Sequence, residues 1–186
     1  MLGLRSAPSP GMCLEEIAAC VEWVAPGLEV VQSIYPAWEF TTEDSIINGG
    51  MHGCLVLGER ISTIDLPQLL DGLPEMEVSL CRDGIEVESG RGANALDGPI
   101  TALQHLSEVL ADSKVNMDEE EDGDALGLLG LQADELVTTG TLTDAWPIAP
   151  GETWAAHFSA PCGSIMMSIS LAISSCAAAL TITAYS

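Results

Sequence analysis

Residues 89–99 have the composition of a loop that holds its backbone close to a ligand and then starts a helix. Three glycines lie in this segment, at Gly90, Gly92 and Gly98. Glycine permits positive φ and close approach of another group, Asp97 is placed to cap a helix, and Pro99 suits its first turn. Because a helix N-terminus with exposed amides favours negative charge, this loop predicts anion binding. A plain turn followed by a cap is an equally good explanation of the loop on its own.

A second candidate is Glu29, a carboxylate in a run of apolar and β-branched residues. Burying a carboxylate costs free energy unless something pairs with it, and a cation is one such partner. The spacing fits equally well with a Glu29 that points to solvent from a half-exposed strand. The sequence therefore leaves two interpretations of this residue.

A third candidate is the loop around Thr139 and Gly140, whose amides and hydroxyls could hold a small carboxylate together with the turn over residues 147–152. Of the three histidines, His52 lies in a glycine-rich loop and stays a candidate for chemistry. His105 lies in a helical pattern and His157 in a strand pattern, so we predict structural roles for both.

The acidic run over residues 118–124 has some spacing of a calcium loop, but its twelfth position is Leu129 instead of glutamate. A solvated insertion over residues 112–132 is the better prediction.

The elements that must position these residues follow from hydrophobic periodicity. Helical spacing predicts helices over residues 13–24 and 100–111. An Asp83-Gly84 turn between alternating segments predicts a hairpin of residues 75–81 and 85–89. Further strands are predicted over residues 28–35 with an extension at 38–40, 53–58 as a fully buried strand, 135–139, 153–158 and 164–172. The fold class is therefore α+β, with two main helices and a mixed or largely antiparallel sheet.

Length and composition limit the functional classes. A chain of 186 residues is expected to form a single domain, and its net charge of −23 disfavours binding to nucleic acid or anionic lipid. Six scattered cysteines predict buried thiols in a reducing compartment, and residues 1–11 do not resemble a secretory signal. The uncharged segment 158–186 contains many serines and threonines, so we predict a strand and an extra tail over residues 173–186 instead of a membrane span. A cytoplasmic location follows.

Several short motifs occur in a fixed order along the chain. They are Glu22-Trp23-Val24-Ala25-Pro26-Gly27-Leu28-Glu29-Val30-Val31, Asp44-Ser45, Ser89-Gly90-Arg91-Gly92, Gly98-Pro99, Thr139-Gly140 and Pro150-Gly151-Glu152. In this order they resemble the 2-keto-4-pentenoate hydratase group of the fumarylacetoacetate hydrolase superfamily, which also includes 4-oxalocrotonate decarboxylase. The similarity covers residues 14–171.

The resemblance implies a mixed β-roll like the C-terminal part of fumarylacetoacetate hydrolase. It also implies a divalent cation, Mg²⁺ or Mn²⁺, and a small 2-keto or 2-hydroxydienoic acid of aromatic or keto-acid catabolism as substrate. Glu29 falls on one of the metal carboxylates of the family. The resemblance further implies that the substrate contacts Asn48, Gly49, Arg91, Thr139 and Gly140, although Arg91 could equally stabilise its loop.

The chain also departs from the family pattern. A Glu-x-Glu pair of metal ligands and a catalytic lysine are expected upstream of the position of Glu29, and they are missing from this sequence. Asn48-Gly49-Gly50-Met51 stands where the family carries Asp-Asn-Ala-Ser. The first hypothesis is a metal-dependent hydratase that forms a homo-oligomer or associates with a full-length paralogue. The alternatives are a truncated, non-catalytic homologue that acts as a partner subunit or is an incomplete gene product, and a decarboxylase or acylpyruvate hydrolase of the same superfamily.

Overall fold

The described chain contains three four-stranded sheets, each built from antiparallel pairs. The structure is a computed structural model that describes residues 1–64, 69–117, 130–159, 165–170 and 178–182. The first sheet has the order β5 (Ile61–Ser62), β2 (Val21–Val24), β1 (Leu2–Leu4) and β8 (Leu136–Val137). The second sheet has the order β4 (His52–Leu57), β3 (Gly27–Gln32), β12 (Ala178–Ile182) and β9 (Trp146–Pro147). The third sheet has the order β11 (Ile165–Ser170), β10 (Thr153–Phe158), β6 (Glu77–Arg82) and β7 (Ile85–Arg91).

One long helix accompanies the sheets. It is α4 (Pro99–Met117), whereas the other α-helices are short: α1 (Leu14–Ala19), α2 (Thr42–Ile47) and α3 (Leu69–Gly72). Single 3₁₀ turns cover Pro36–Trp38, Gly49–Met51 and Gly92–Asn94. The chain is therefore of the mixed helix and sheet class, with one main helix instead of the two predicted. No described helix combines the length and the apolar character needed to cross a membrane.

Two apolar clusters hold these elements together. In the first, Leu28 and Val30 of the second sheet pack with residues of the third sheet such as Leu80, Trp154 and Phe158. Because side chains alternate along a strand, the third sheet turns its other, polar face away from this cluster. The second cluster joins the first sheet to α1 and α4. Its members include Leu2, Leu4, Ile17, Val21 and Leu103.

The predicted helix over residues 13–24 is wrong in its second half. The helix ends at Ala19, and Val21–Val24 instead forms β2, which pairs with β1. Valine and tryptophan favour strands, and the distant segment Leu2–Leu4 provides the hydrogen-bonding partner strand. Local periodicity cannot reveal such a partner. The helix predicted over residues 100–111 is confirmed and continues to Met117.

Most of the strand predictions are confirmed. The hairpin is confirmed, and its turn residues Asp83 and Gly84 have φ of 51° and 81°, as a tight hairpin turn requires. The strands predicted at 28–35, 53–58, 135–139, 153–158 and 164–172 correspond to β3, β4, β8, β10 and β11. However, β4 is exposed or half-buried, not fully buried. The predicted extension at 38–40 is also wrong, because Ala37 and Trp38 adopt positive φ in a 3₁₀ turn.

Two further expectations concern the cysteines and the C-terminal segment. Of the cysteines in the described ranges, Cys20 is buried, Cys81 is partly buried, and Cys13 and Cys54 are exposed, so the prediction of buried thiols is wrong for the last two. Within the predicted tail, Ala178–Ile182 pairs with β3 as a strand of the second sheet. The acidic run at 118–124 lies outside the described residues.

Candidate functional site

Glu29 lies in the middle of β3, on the face opposite the apolar cluster. Its neighbours Leu28 and Val30 belong to that cluster, so alternation directs Glu29 to the other face of the second sheet. It is nevertheless buried, with 5% of its surface exposed. The interpretation of Glu29 as a solvent-facing residue is therefore wrong. A carboxylate in this position needs a partner for its charge.

His52 supplies a partner for one oxygen of Glu29. The Nδ1 atom of His52 lies 2.6 Å from Oε1 of Glu29, and the imidazole is half exposed. A carboxylate oxygen accepts, so Nδ1 is the donor of this hydrogen bond, and Nε2 is an acceptor in the Nδ1–H tautomer. The second oxygen, Oε2, is buried without a hydrogen-bond partner among the described residues.

A bulge in β4 brings His52 to the same face as Glu29. Val30 pairs with Cys54 while Val31 pairs with His52, so Gly53 is an extra residue on its strand. Without the bulge, His52 would lie opposite Gln32 and point to the other face of the sheet. A Cβ at Gly53 would lie 2.6 Å from the carbonyl oxygen of Val30, which explains why glycine occupies this position.

The loop before His52 contains the predicted substrate residues Asn48 and Gly49. Asn48 ends α2, and its side-chain amide donates to Sδ of Met51 over 2.9 Å. Gly49 and Gly50 both have positive φ, at 61° and 67°, and make the sharp turn that leads into β4. These residues therefore position His52, a candidate for chemistry whose contact with Glu29 the sequence does not reveal.

Asp44, the acidic residue of the Asp-Ser motif, has a local role at the start of α2. Its carboxylate accepts hydrogen bonds from the amide and the hydroxyl of Thr41, completing a capping box. The hydrogen bond from the Thr41 amide is the main reason why the pKa of Asp44 is lowered.

The segment 89–99 is a tightly bonded connection instead of an open loop. Its first residues extend β7 to Arg91, and the amides of Gly92, Ala93, Ala95, Asp97 and Gly98 all donate to backbone carbonyls. These five amides are therefore not available to bind an anion. The predicted cap at Asp97 is wrong, because the Gly98 carbonyl accepts the first helical hydrogen bond, from Ala102.

Arg91 lies in the third sheet, whereas Glu29 lies in the second sheet. Arg91 pairs with Glu77, one residue out of phase with the core residue Val78, so it belongs to the outer face of the third sheet. There it lines an open cavity of about 660 Å³ with Ser79, Ser89 and His157. Arg91 and Glu29 thus point away from each other on opposite sides of the shared apolar cluster.

Thr139 and Gly140 follow β8 in a loop that packs against the segment after β7. Thr139 is 1% exposed, and its hydroxyl has no partner among the described residues. Farther along this loop, the carbonyl of Leu142 accepts a hydrogen bond of 2.9 Å from the side chain of Asn94. The structure therefore brings together the two loops that the sequence predicted separately.

Comparisons with known proteins agree with this architecture, although no protein-family model matches the chain. The 2-hydroxyhexa-2,4-dienoate hydratase of Comamonas testosteroni is 26% identical over 150 residues, which are 80% of this chain and 49% of that protein. The 2-keto-4-pentenoate hydratase of Paraburkholderia xenovorans is 29% identical over 77% of this chain and 46% of its own length. A 4-oxalocrotonate decarboxylase of a Pseudomonas species is 25% identical over 82% of this chain and 51% of its own.

This chain is a homologue of the 2-keto-4-pentenoate hydratases and 4-oxalocrotonate decarboxylases. It spans about half the length of the curated relatives it matches. The 4-oxalocrotonate decarboxylase of Pseudomonas putida G7, in complex with magnesium and adipate, shares its fold with a TM-score of 0.70 at 23% identity, over 89% of this chain and 56% of that one. A second structure of that enzyme, with calcium and acetate, gives a TM-score of 0.67.

The described side chains fit a divalent-cation site only in part. Glu29 fits the role of one ligand, because its buried Oε2 lacks a partner among the described residues and carboxylate oxygens are the donors that Mg²⁺ and Ca²⁺ prefer. A complete set is not found in the described ranges, where no group of three or more His, Cys, Asp or Glu side chains could hold a metal ion. The described residues therefore supply a single well-placed carboxylate and the imidazole that contacts it.

Proposed function

We propose that this protein takes part in the hydration of 2-hydroxypenta-2,4-dienoate-type 2-keto acids, as a divalent-metal-dependent lyase of aromatic or keto-acid catabolism. The names of its homologues and the fold shared with a magnesium-complexed decarboxylase support this reaction class. We further propose that the three sheets form the β-roll implied by the family resemblance. Asn48, Gly49, Thr139 and Gly140 remain the candidates for substrate contact.

The observation that carries this proposal is the difference in hydrogen bonding between the two carboxylate oxygens of Glu29. One of its oxygens is bonded to His52, whereas the other is buried and has no partner in the described part of the chain. An Mg²⁺ or Mn²⁺ ion at Oε2 would offset the cost of burying this charge. When bound, such an ion polarises keto and carboxylate oxygens of a 2-keto acid. Its remaining ligands would come from water, the substrate, residues outside the described ranges, or another subunit.

The proposal is tested by measuring Mn²⁺ binding and turnover with the full chain. Binding is followed by the loss of the free Mn²⁺ signal in electron paramagnetic resonance. Turnover is followed by the ultraviolet absorbance of 2-hydroxypenta-2,4-dienoate in the presence of Mg²⁺ or Mn²⁺. Glu29→Gln keeps the size of the side chain and removes its charge, so we expect Mn²⁺ affinity to fall by about 100-fold or more.

The matched control is Glu22→Gln, on the neighbouring strand β2, because Glu22 is exposed. This variant should bind Mn²⁺ with the wild-type affinity. If the wild type binds no Mn²⁺ and turns over no substrate with either metal, the proposed function is refuted.

A second candidate is a non-catalytic partner subunit, favoured by the single carboxylate found at the site and the lack of a three-ligand group among the described residues. In that case the chain should co-purify with a full-length homologue when both are expressed together. Mn²⁺ affinity and turnover would then require the complex. A monomeric chain with full activity would exclude this candidate.

The homologues also include decarboxylases, so the reaction itself needs a separate measurement. Release of CO₂ from 4-oxalocrotonate, or cleavage of an acylpyruvate, in the absence of dienoate hydration would assign the chain to one of these reactions instead. Parallel assays with the three substrates under one metal condition distinguish them.

A further inference from the structure

We propose that His52 is a positioning residue, which holds Oε1 of Glu29 so that Oε2 is the oxygen presented to the divalent cation. This inference rests on the proposed function. His52 lies outside the motifs that carry the family resemblance, so this role does not follow from that resemblance.

The contact itself gives the first argument. At 2.6 Å, Nδ1 of His52 is within strong hydrogen-bonding distance of Oε1, and this is the only hydrogen bond that the Glu29 carboxylate makes with the described residues. A buried carboxylate on a flexible side chain can rotate to present either oxygen. A single charge-assisted hydrogen bond fixes which oxygen is occupied and therefore which is free.

The backbone gives the second argument. His52 reaches Glu29 only because Gly53 is an extra residue in β4, and because the turn at Gly49 and Gly50 leads the chain into that bulge. Bulges often redirect one side chain towards a site. Here the redirected side chain is the one that contacts the buried carboxylate.

The exposure of the two residues gives the third argument. The Glu29 side chain is 6% exposed, whereas that of His52 is 51% exposed. A histidine required only for packing would be buried with its partner. His52 instead covers one oxygen of the carboxylate from the edge of the site, as outer-shell partners of metal ligands do.

The test compares His52→Phe and His52→Asn in the full chain. Phenylalanine removes the donor, whereas the side-chain amide of asparagine can place an N–H near the position of Nδ1. We expect Mn²⁺ affinity to fall by about 10- to 100-fold in His52→Phe and to stay within about threefold of wild type in His52→Asn. His105→Phe, at an exposed position of α4, is the control and should bind Mn²⁺ like the wild type.

A second measurement does not depend on metal binding. The ¹⁵N chemical shifts of His52, at a pH where the imidazole is neutral, report which nitrogen carries the proton. We expect the proton on Nδ1 in the wild type and a shift towards the Nε2–H form in Glu29→Leu, which lacks the acceptor.

The two proposals fail in different ways. If Glu29→Gln loses Mn²⁺ while His52→Phe retains full affinity, the positioning role is overturned and the proposed function stands. A wild-type His52 protonated at Nε2 alone also overturns the positioning role. If His52 carries its proton on Nδ1 but the wild type binds no Mn²⁺, the cation-presenting role fails; if this wild type also turns over no substrate with either metal, the proposed function is overturned as well.

Discussion

The backbone of Gly90 lies directly against the carbonyl group of Leu142. A Cβ atom on Gly90 would stand 1.9 Å from that oxygen, and the side chain of Asn94 donates to the same carbonyl. Gly92 is in a similar position, since its Cβ would lie 1.8 Å from the carbonyl oxygen of Leu73. These glycines are therefore required for close packing of two backbone segments.

Gly90→Ala should destabilise the protein by about 3 kcal/mol, because a methyl group facing a backbone carbonyl forces one of the two segments to move. Urea unfolding followed by circular dichroism measures this change. Gly84→Ala separates steric clash from backbone strain, since Gly84 has a φ of 81° but open space around it. This control should lose about 1 kcal/mol from the left-handed backbone alone. Equal losses in the two variants would contradict the close approach.

Leu28→Ala should weaken the contact between the second and third sheets. Leu28 is fully buried in the apolar cluster that joins them, and truncation there costs the transfer free energy plus that of a cavity. We expect a loss of about 3 kcal/mol in urea unfolding. Ile34→Ala is the control because Ile34 is 73% exposed, and it should change stability by less than about 0.5 kcal/mol.

Arg91→Gln should leave Mn²⁺ affinity within about twofold of wild type, because long-range effects of an exposed charge are screened. Arg91 lies on the outer face of the third sheet, whereas Glu29 points away on the far side of the apolar cluster. Electron paramagnetic resonance of Mn²⁺ measures this affinity. A tenfold loss in Arg91→Gln would show that the two residues share one site.

The thiol of Cys81 should respond to the charge of Glu86. Partial burial, and next the negative charge of Glu86, raise the pKa of Cys81. A raised pKa means less thiolate at a given pH, so alkylation of Cys81 should be slow and should accelerate as the pH approaches that pKa. Glu86→Gln removes the repulsion and should speed alkylation at pH 8 by about two- to threefold.

Iodoacetamide labelling with peptide mass spectrometry distinguishes Cys81 from the other cysteines. Glu75→Gln, at an exposed position ahead of β6, is the charge-matched control and should leave the rate unchanged. An unchanged rate in Glu86→Gln would exclude the electrostatic effect.

Local sequence signals predicted the elements whose causes are local. The hairpin follows from the Asp83-Gly84 turn between two alternating segments, and α4 follows from regular apolar spacing after Pro99. The helix predicted over 13–24 failed because the conformation of Val21–Val24 depends on a distant partner, β1. Periodicity over a few residues carries no information about such a partner.

The candidate site likewise has features that depend on local sequence and features that depend on distant segments. The sequence by itself determined that Glu29 sits in an apolar strand, that His52 follows a glycine-rich turn, and that the chain resembles one enzyme group. Only the tertiary structure decided that a bulge at Gly53 joins these two residues and that Arg91 faces the opposite direction. The reason is physical: the face on which a strand residue lies depends on register, and register is fixed by pairing between segments distant in sequence.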